Sequence, residues 1–181
     1  MALPLVKEAH QQSNGRNKLL YAQVLGIWGC QEAIPTLQKK KKKYTHWDDK
    51  ILQGRMADYA HLPTPIDAII LALCYTGEHS VTPRIIKWLD KLDSKVTLSH
   101  HRTIALGLEY LNDPSAAKPL VALLKKPDMQ GHAMTTAQQT IAQIQGKDKG
   151  RTRSLRECIL ARALYHLGDY NSLGEGILRQ Y

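Results

Sequence analysis

The chain has 181 residues, a net charge of +9 from 25 basic and 16 acidic side chains, 43% hydrophobic residues, no Phe and three Cys. That length fits one domain with a core that needs neither disulfides nor metals, and apolar positions dominated by Leu, Ile and Ala favour helix packing over pleated sheet. Cys30, Cys74 and Cys158 form neither a C-x-x-C metal pair nor an even disulfide set, no apolar run approaches a membrane span, and "MALPLVKEAH" lacks a secretory pattern. The cysteines therefore read as small core side chains, and the cytoplasm is the default expectation.

In chain order, the pattern predicts about ten helices and no strands. A first helical pair is expected near residues 16–40, ending in the lysine run Lys39 to Lys43. An inserted helix near 49–61 places Leu52, Met56 and Tyr59 on one face. The second pair, near 65–92, has start signals at Thr64 with Pro65 and at Thr82 with Pro83. The third, near 99–126, begins after Ser99 and restarts at Asp113 with Pro114. Another inserted helix near 136–145 has a cap at Thr136 and a face of Ala137, Ile141 and Ile144. The last pair, near 154–181, carries two capping-box patterns, Ser154 with Glu157 and Ser172 with Glu175.

The four pairs align on one position, a residue type that accepts a left-handed backbone just past a helix: Gly29, Gly77, Asn112 and Gly168. Eight residues earlier stand Tyr21, Ile69, Ile104 and Leu160, and four earlier Leu25, Leu73, Leu108 and Leu164. The anchors are 48, 35 and 56 residues apart, so the repeat is irregular and the two longer intervals hold the inserted helices. Amphipathic pairs of this kind bury their stripes by stacking, which predicts an all-α fold, an α-α superhelix of the HEAT or armadillo type, built as one domain over residues 1–181. The last helix lacks a following neighbour, so the domain is expected to belong to a longer polypeptide.

The closing stretch, "LARALYHLGDYNSLGEGILRQY" (160–181), is glycine-rich without being a phosphate loop. Gly174 and Gly176 supply G-x-G, but the next fingerprint position is Arg179, and Ile159, Leu160, Ala163, Leu164 and Leu167 mark a helix rather than a strand before it. Gly168 then turns helix into helix, and the later glycines suit close packing against a neighbour outside the hairpin. Through "LNDPSAAKPLVALL" the repeats resemble HEAT-like repeats, including those of phycobilisome lyases. The closing stretch, with "GHAMTT" (131–136), resembles the C-terminal helical region of large bacterial FAD-dependent oxidoreductases. That resemblance implies a helical tail whose flavin sits in a separate N-terminal dinucleotide-binding domain. No G-x-G-x-x-G occurs in this chain, so it carries over no catalytic or cofactor-binding residue and implies no cofactor here.

Residues that carry chemistry elsewhere have ordinary readings here. His100 and His101 are adjacent, point about 100° apart on a helix and read as exposed or turn-packing side chains rather than metal ligands. "YTHWDD" (44–49) places His46 beside Asp48 and Asp49, where a helix cap is the simpler role. Asp58, Glu109 and Glu157 read as helix-surface carboxylates, and Trp28 and Trp88 as core. Two basic clusters remain as candidate anion or partner contacts: Lys39, Lys40, Lys41, Lys42 and Lys43, and Lys147, Lys149, Arg151 and Arg153. The first has two readings, a solvated helix end whose lysines offset the dipole, or a phosphate clamp with Tyr44 and Trp47 stacking on bases.

Three functions follow as expectations. The first is a non-catalytic scaffold that docks on an oxidoreductase's catalytic domain or on another protein surface. The second is a nucleic-acid-binding repeat module that uses the basic clusters, and the third a protein of the phycobilisome-lyase kind. None involves a membrane.

Overall fold

Leucine and alanine recurring at helical spacing, punctuated by residues that tolerate a left-handed turn, produce helix after helix. In a computed structural model, which describes residues 2–44, 47, 63–145 and 150–181, there are ten α-helices and no strand among the described residues. They are α1 (Ala2–Gln12), α2 (Gly15–Ile27), α3 (Ile34–Lys41), α4 (Pro65–Tyr75), α5 (Thr82–Leu89), α6 (Leu98–Leu111), α7 (Ala117–Leu124), α8 (Ala137–Gln145), α9 (Gly150–His166) and α10 (Leu173–Leu178). The inserted helix expected near 49–61, with Asp58, lies outside the described residues, as do His46, Asp48, Asp49, Lys147 and Lys149.

The four anchors sit just past α2, α4, α6 and α9, with φ of 77° at Gly29, 69° at Gly77, 47° at Asn112 and 93° at Gly168. After three of them the chain makes the same move, a short 3₁₀ turn (Gln31–Ala33, His79–Val81, Pro114–Ala116) that runs straight into α3, α5 and α7. The longer helices pack in sequence, α2 on α4, α4 on α6 and α6 on α9, while α3 also rests on α4, α5 on α6 and α7, and α7 on α9. Leu25, Ile70, Leu73, Ile85, Ile104, Leu108, Leu120 and Leu164 fill the space between them and are fully buried. Each contributes about 1.5–3 kcal/mol of transfer free energy.

Small residues set the register of that row. A Cβ on Gly26 would fall 2.7 Å from the Ala72 carbonyl oxygen, and one on Gly107 would fall 2.5 Å from Cys74 Sγ. The residue three before one anchor thus meets the residue five before the next, Gly26 on Ala72 and Cys74 on Gly107. Ala163 continues the series on α9 and is likewise buried.

The caps expected at Thr64 and Thr136 form, while several other starts differ from the sequence expectation. α1 is a helix that the pattern did not suggest, with Pro4 in its first turn, where a missing N–H costs nothing. Thr64 and Asp67 form a complete capping box on α4, and Thr136 Oγ1 accepts from the Gln139 amide at α8. Thr82 lies inside α5, and the cap ahead of it is Glu78, whose carboxylate accepts from Ser80 N. α6 begins at Leu98, so Ser99 lies in its first turn. Ser154 and Glu157 are not a cap, because α9 is already helical from Gly150. Ser172 has a left-handed backbone and makes no capping bond; Asp169 caps α10 instead, accepting from the amides of Gly174 and Glu175, each at 2.9 Å. Gly174 packs within its own hairpin, where a Cβ would lie 2.7 Å from the Ala161 carbonyl oxygen, while Gly176 faces open space.

Candidate interaction surfaces

The first lysine cluster lies where α3 ends. Lys39, Lys40 and Lys41 form its last turn and Lys42 and Lys43 the turn beyond, which suits the negative end of the helix dipole. The fold adds cations that the sequence keeps far apart. Lys41 Nζ stands 5.4 Å and Lys91 Nζ 4.8 Å from the centre of the Trp88 ring, so the ends of α3 and α5 share one aromatic platform. Burial, and then the charges of Arg84, Lys91 and Lys87, hold the Lys41 ammonium below its ordinary pKa. Among the described residues neither Lys41, Arg84 nor Lys87 has a carboxylate partner. Counting from each 3₁₀ turn, Lys43, Lys91 and Lys126 occupy the same repeat position. Lys126 ties the edge together by donating to the carbonyls of Asp90 and Leu92 at 2.7 and 2.6 Å.

Of the second cluster, Arg151 and Arg153 are among the described residues. Arg151 is exposed, whereas Arg153 pairs with Asp128 at 3.6 Å on the turn after α7. Of the two rings read as stacking on bases, Tyr44 is half-buried against the core and Trp47 is not free to stack. Trp47 is buried, stacks on His100 with ring centres 4.4 Å apart and donates its Nε1–H to the Trp88 carbonyl. Trp88 is buried, as its core reading expects, with Lys41 and Lys91 over its ring.

His100 and His101 are both fully buried rather than exposed. His100 Nδ1 donates to Asp67 Oδ1 at 2.6 Å, and the other oxygen of Asp67 accepts from Thr64 N, so the α4 cap doubles as a clamp on α6. His101 Nδ1 donates to the Thr97 carbonyl, and its buried Nε2 has no hydrogen-bond partner among the described residues. Burial, only partly opposed by that carbonyl and reinforced by the charge of Arg156, pushes the His101 pKa down to about 4. Arg156 is itself buried, and its Nε and Nη1 have no hydrogen-bond partner among the described residues.

Glu157 is buried too, against the surface reading. Its two oxygens accept from the amides of Gly131 and His132 and from the Tyr181 hydroxyl, all at 2.8 Å. Ser154 Oγ completes the clamp by donating to the His132 carbonyl. Glu109 is half-buried and bridges helices by accepting from Arg162 at 2.8 and 3.2 Å. No group of three or more His, Cys, Asp and Glu among the described residues is placed to hold a metal ion. Cys30 and Cys74 are buried and Cys158 half-buried, all free; burial raises the Cys74 thiol to about 12.

The second surface was not anticipated. Leu20, Val24, Ile27 and Trp28 run along one side of α2 and are exposed, Trp28 by 49% and Val24 by 38%. The register explains what is unusual here. Five and one residues before the anchor, α4 has Ala72 and Thr76, α6 has Gly107 and Leu111, and α9 has Ala163 and Leu167, all buried. In α4 and α6 this is the side that meets the preceding long helix. On α2 the same positions hold Val24 and Trp28. Helix α1 packs on α2 yet leaves these side chains exposed, since it sits on the side of α2 that faces the Gln31–Ala33 turn and the start of α3, with His10 Nε2 hydrogen-bonded to Thr36 Oγ1 at 3.1 Å and Lys7 paired with Glu32. Between α1, α2 and the Gln31–Ala33 turn is a small polar cleft of about 170 Å³ lined by Lys7, His10, Gln11, Lys18, Leu25 and Glu32. Bulky residues at Val24 and Trp28, where other repeats carry mostly smaller ones, were the available signal. Helix α8 is exposed through Ala137 and Ile141; the side chain of Ile144 lies outside the described residues.

Compared with protein-family models, curated proteins and solved structures, the chain matches none.

Proposed function

We propose that this chain is a non-catalytic helical-repeat scaffold, an α-α superhelix of the HEAT or armadillo kind, that docks a protein partner on the exposed side of α2. The in-order packing of α2, α4, α6 and α9 supports the repeat reading. The single observation that carries docking is the stripe Leu20, Val24, Ile27 and Trp28, exposed where the register elsewhere buries a helix. Its occupant is accordingly an α-helix seated as a preceding long helix would be. Resemblance of the closing stretch to the tails of FAD-dependent oxidoreductases selects the supplier, a flavin-binding catalytic domain, with FAD held there and not in this chain.

The test is site-specific crosslinking in cells from a benzophenone amino acid placed at Val24, with the exposed Arg102 of α6 as control position. The expected adduct joins Val24 to a helical peptide of a flavoprotein and disappears in Trp28→Glu. Equal adducts from both positions, or none from Val24, would overturn docking at this face, and an adduct to a protein without a flavin fold would overturn the choice of supplier.

A further inference from the structure

The α3–α5 edge carries an inference independent of the docking reading. Lys41 Nζ lies 5.4 Å from the centre of the Trp88 ring, so folding brings the end of α3 onto α5, the helix that carries Arg84 and Lys87; Lys41, Arg84 and Lys87 have no carboxylate partner among the described residues and adjoin exposed Lys39, Lys42, Lys43 and Lys91. Like charges held this close repel one another, and an arriving anion relieves that repulsion. A helix dipole explains lysines within the last turn of α3, but not Arg84, which stands in the first turn of α5, at the positive end.

The chemistry narrows the anion. The side chains are mostly lysines, point charges that suit phosphate, and Lys43, Lys91 and Lys126 repeat at equivalent positions, which spreads charge along an edge one helix spacing, about 10 Å, at a time. A small anion would not engage that length; a backbone of successive phosphates does. Single strands are disfavoured because the rings that would stack on bases are engaged: Trp47 is buried against Trp88 and His100, and Tyr44 is half-buried against the core. We propose that the α3–α5 edge is a sequence-independent contact for the phosphate backbone of a nucleic-acid duplex.

The experiment is fluorescence anisotropy with a labelled 20-base-pair duplex of arbitrary sequence, on the full chain, between 50 and 200 mM salt. Each phosphate contacted contributes about −0.9 to the slope of log K against log salt. Lys41→Gln, Arg84→Gln and Lys87→Gln together should flatten the slope by about 3 and weaken binding at 100 mM salt by tenfold or more. A control triple with the same charge change elsewhere, Arg16→Gln, Lys118→Gln and Arg179→Gln, should lose far less. All six are exposed or half-buried, and a thermal melt confirms that each variant is folded. Equal losses in both triples would overturn the site, since net charge alone would then account for binding. Tighter binding of the matching single strand, or full competition by polyglutamate of equal charge, would overturn the duplex.

Discussion

Gly26→Ala probes the register on which the repeat rests. The new Cβ would lie 2.7 Å from the Ala72 carbonyl oxygen and 2.9 Å from its Cβ, so α2 and α4 must separate by several tenths of an ångström, with backbone rather than a flexible side chain in the way. Overpacking of this kind costs about 2–3 kcal/mol, and replacing a helical glycine returns up to about 1, for a net loss of about 1–2 kcal/mol. In a chain of this length that lowers Tm by about 2–8 °C, and urea unfolding should show a lower midpoint with an unchanged m value. Gly176→Ala is the internal control, since its Cβ meets nothing within 4 Å and the substitution should stabilise by up to about 1 kcal/mol. At Gly107 the obstacle is the Cys74 side chain, so Cys74→Ala should partly rescue Gly107→Ala. If Gly26→Ala is as stable as the parent chain, the proposed packing of α2 on α4 is wrong.

Other expectations concern the buried polar groups. Because the folded His101 pKa lies near 4, below the ordinary 6.5, the unfolded chain binds the proton first as pH falls. Stability from this group is intact above about pH 6.5 and declines toward pH 4 by on the order of 3 kcal/mol, and His101→Met should flatten that part of the urea-midpoint profile. Asp67→Asn, which disturbs a buried carboxylate–imidazole hydrogen bond and weakens a cap, should cost about 1–3 kcal/mol in the same assay. Arg156→Met removes a buried guanidinium, two of whose nitrogens have no partner among the described residues, and should be neutral or stabilising. Glu157→Ala should accelerate amide exchange at Gly131 and His132, whose N–H groups it now holds.

The turns and the helical row were the most legible part of the chain, because a left-handed position admits few residue types and Gly29, Gly77, Asn112 and Gly168 all take it. Capping was less so. Ser or Thr three residues before Glu is a degenerate pattern, and tertiary donors claimed Glu157 while Asp169 displaced Ser172. Tryptophan positions misled for a related reason, since one sequence cannot say which side of a helix has a neighbour. Trp28 stands open at the end of the row, whereas Trp47, beside a lysine run, is drawn under α5 and α6. The basic edge was half visible: Lys39 to Lys43 are adjacent in sequence, but Arg84 and Lys87 join them only through the packing around Trp88.

The claim that α2 is a docking face is tested most directly by calorimetric titration of the purified chain with the flavoprotein identified at Val24, comparing the parent with Trp28→Glu and with the Lys41, Arg84 and Lys87 triple. Loss of a central tryptophan contact should weaken binding about thirtyfold or more, while the basic triple changes it little. Unchanged affinity in Trp28→Glu, or a larger loss in the basic triple, would contradict the account.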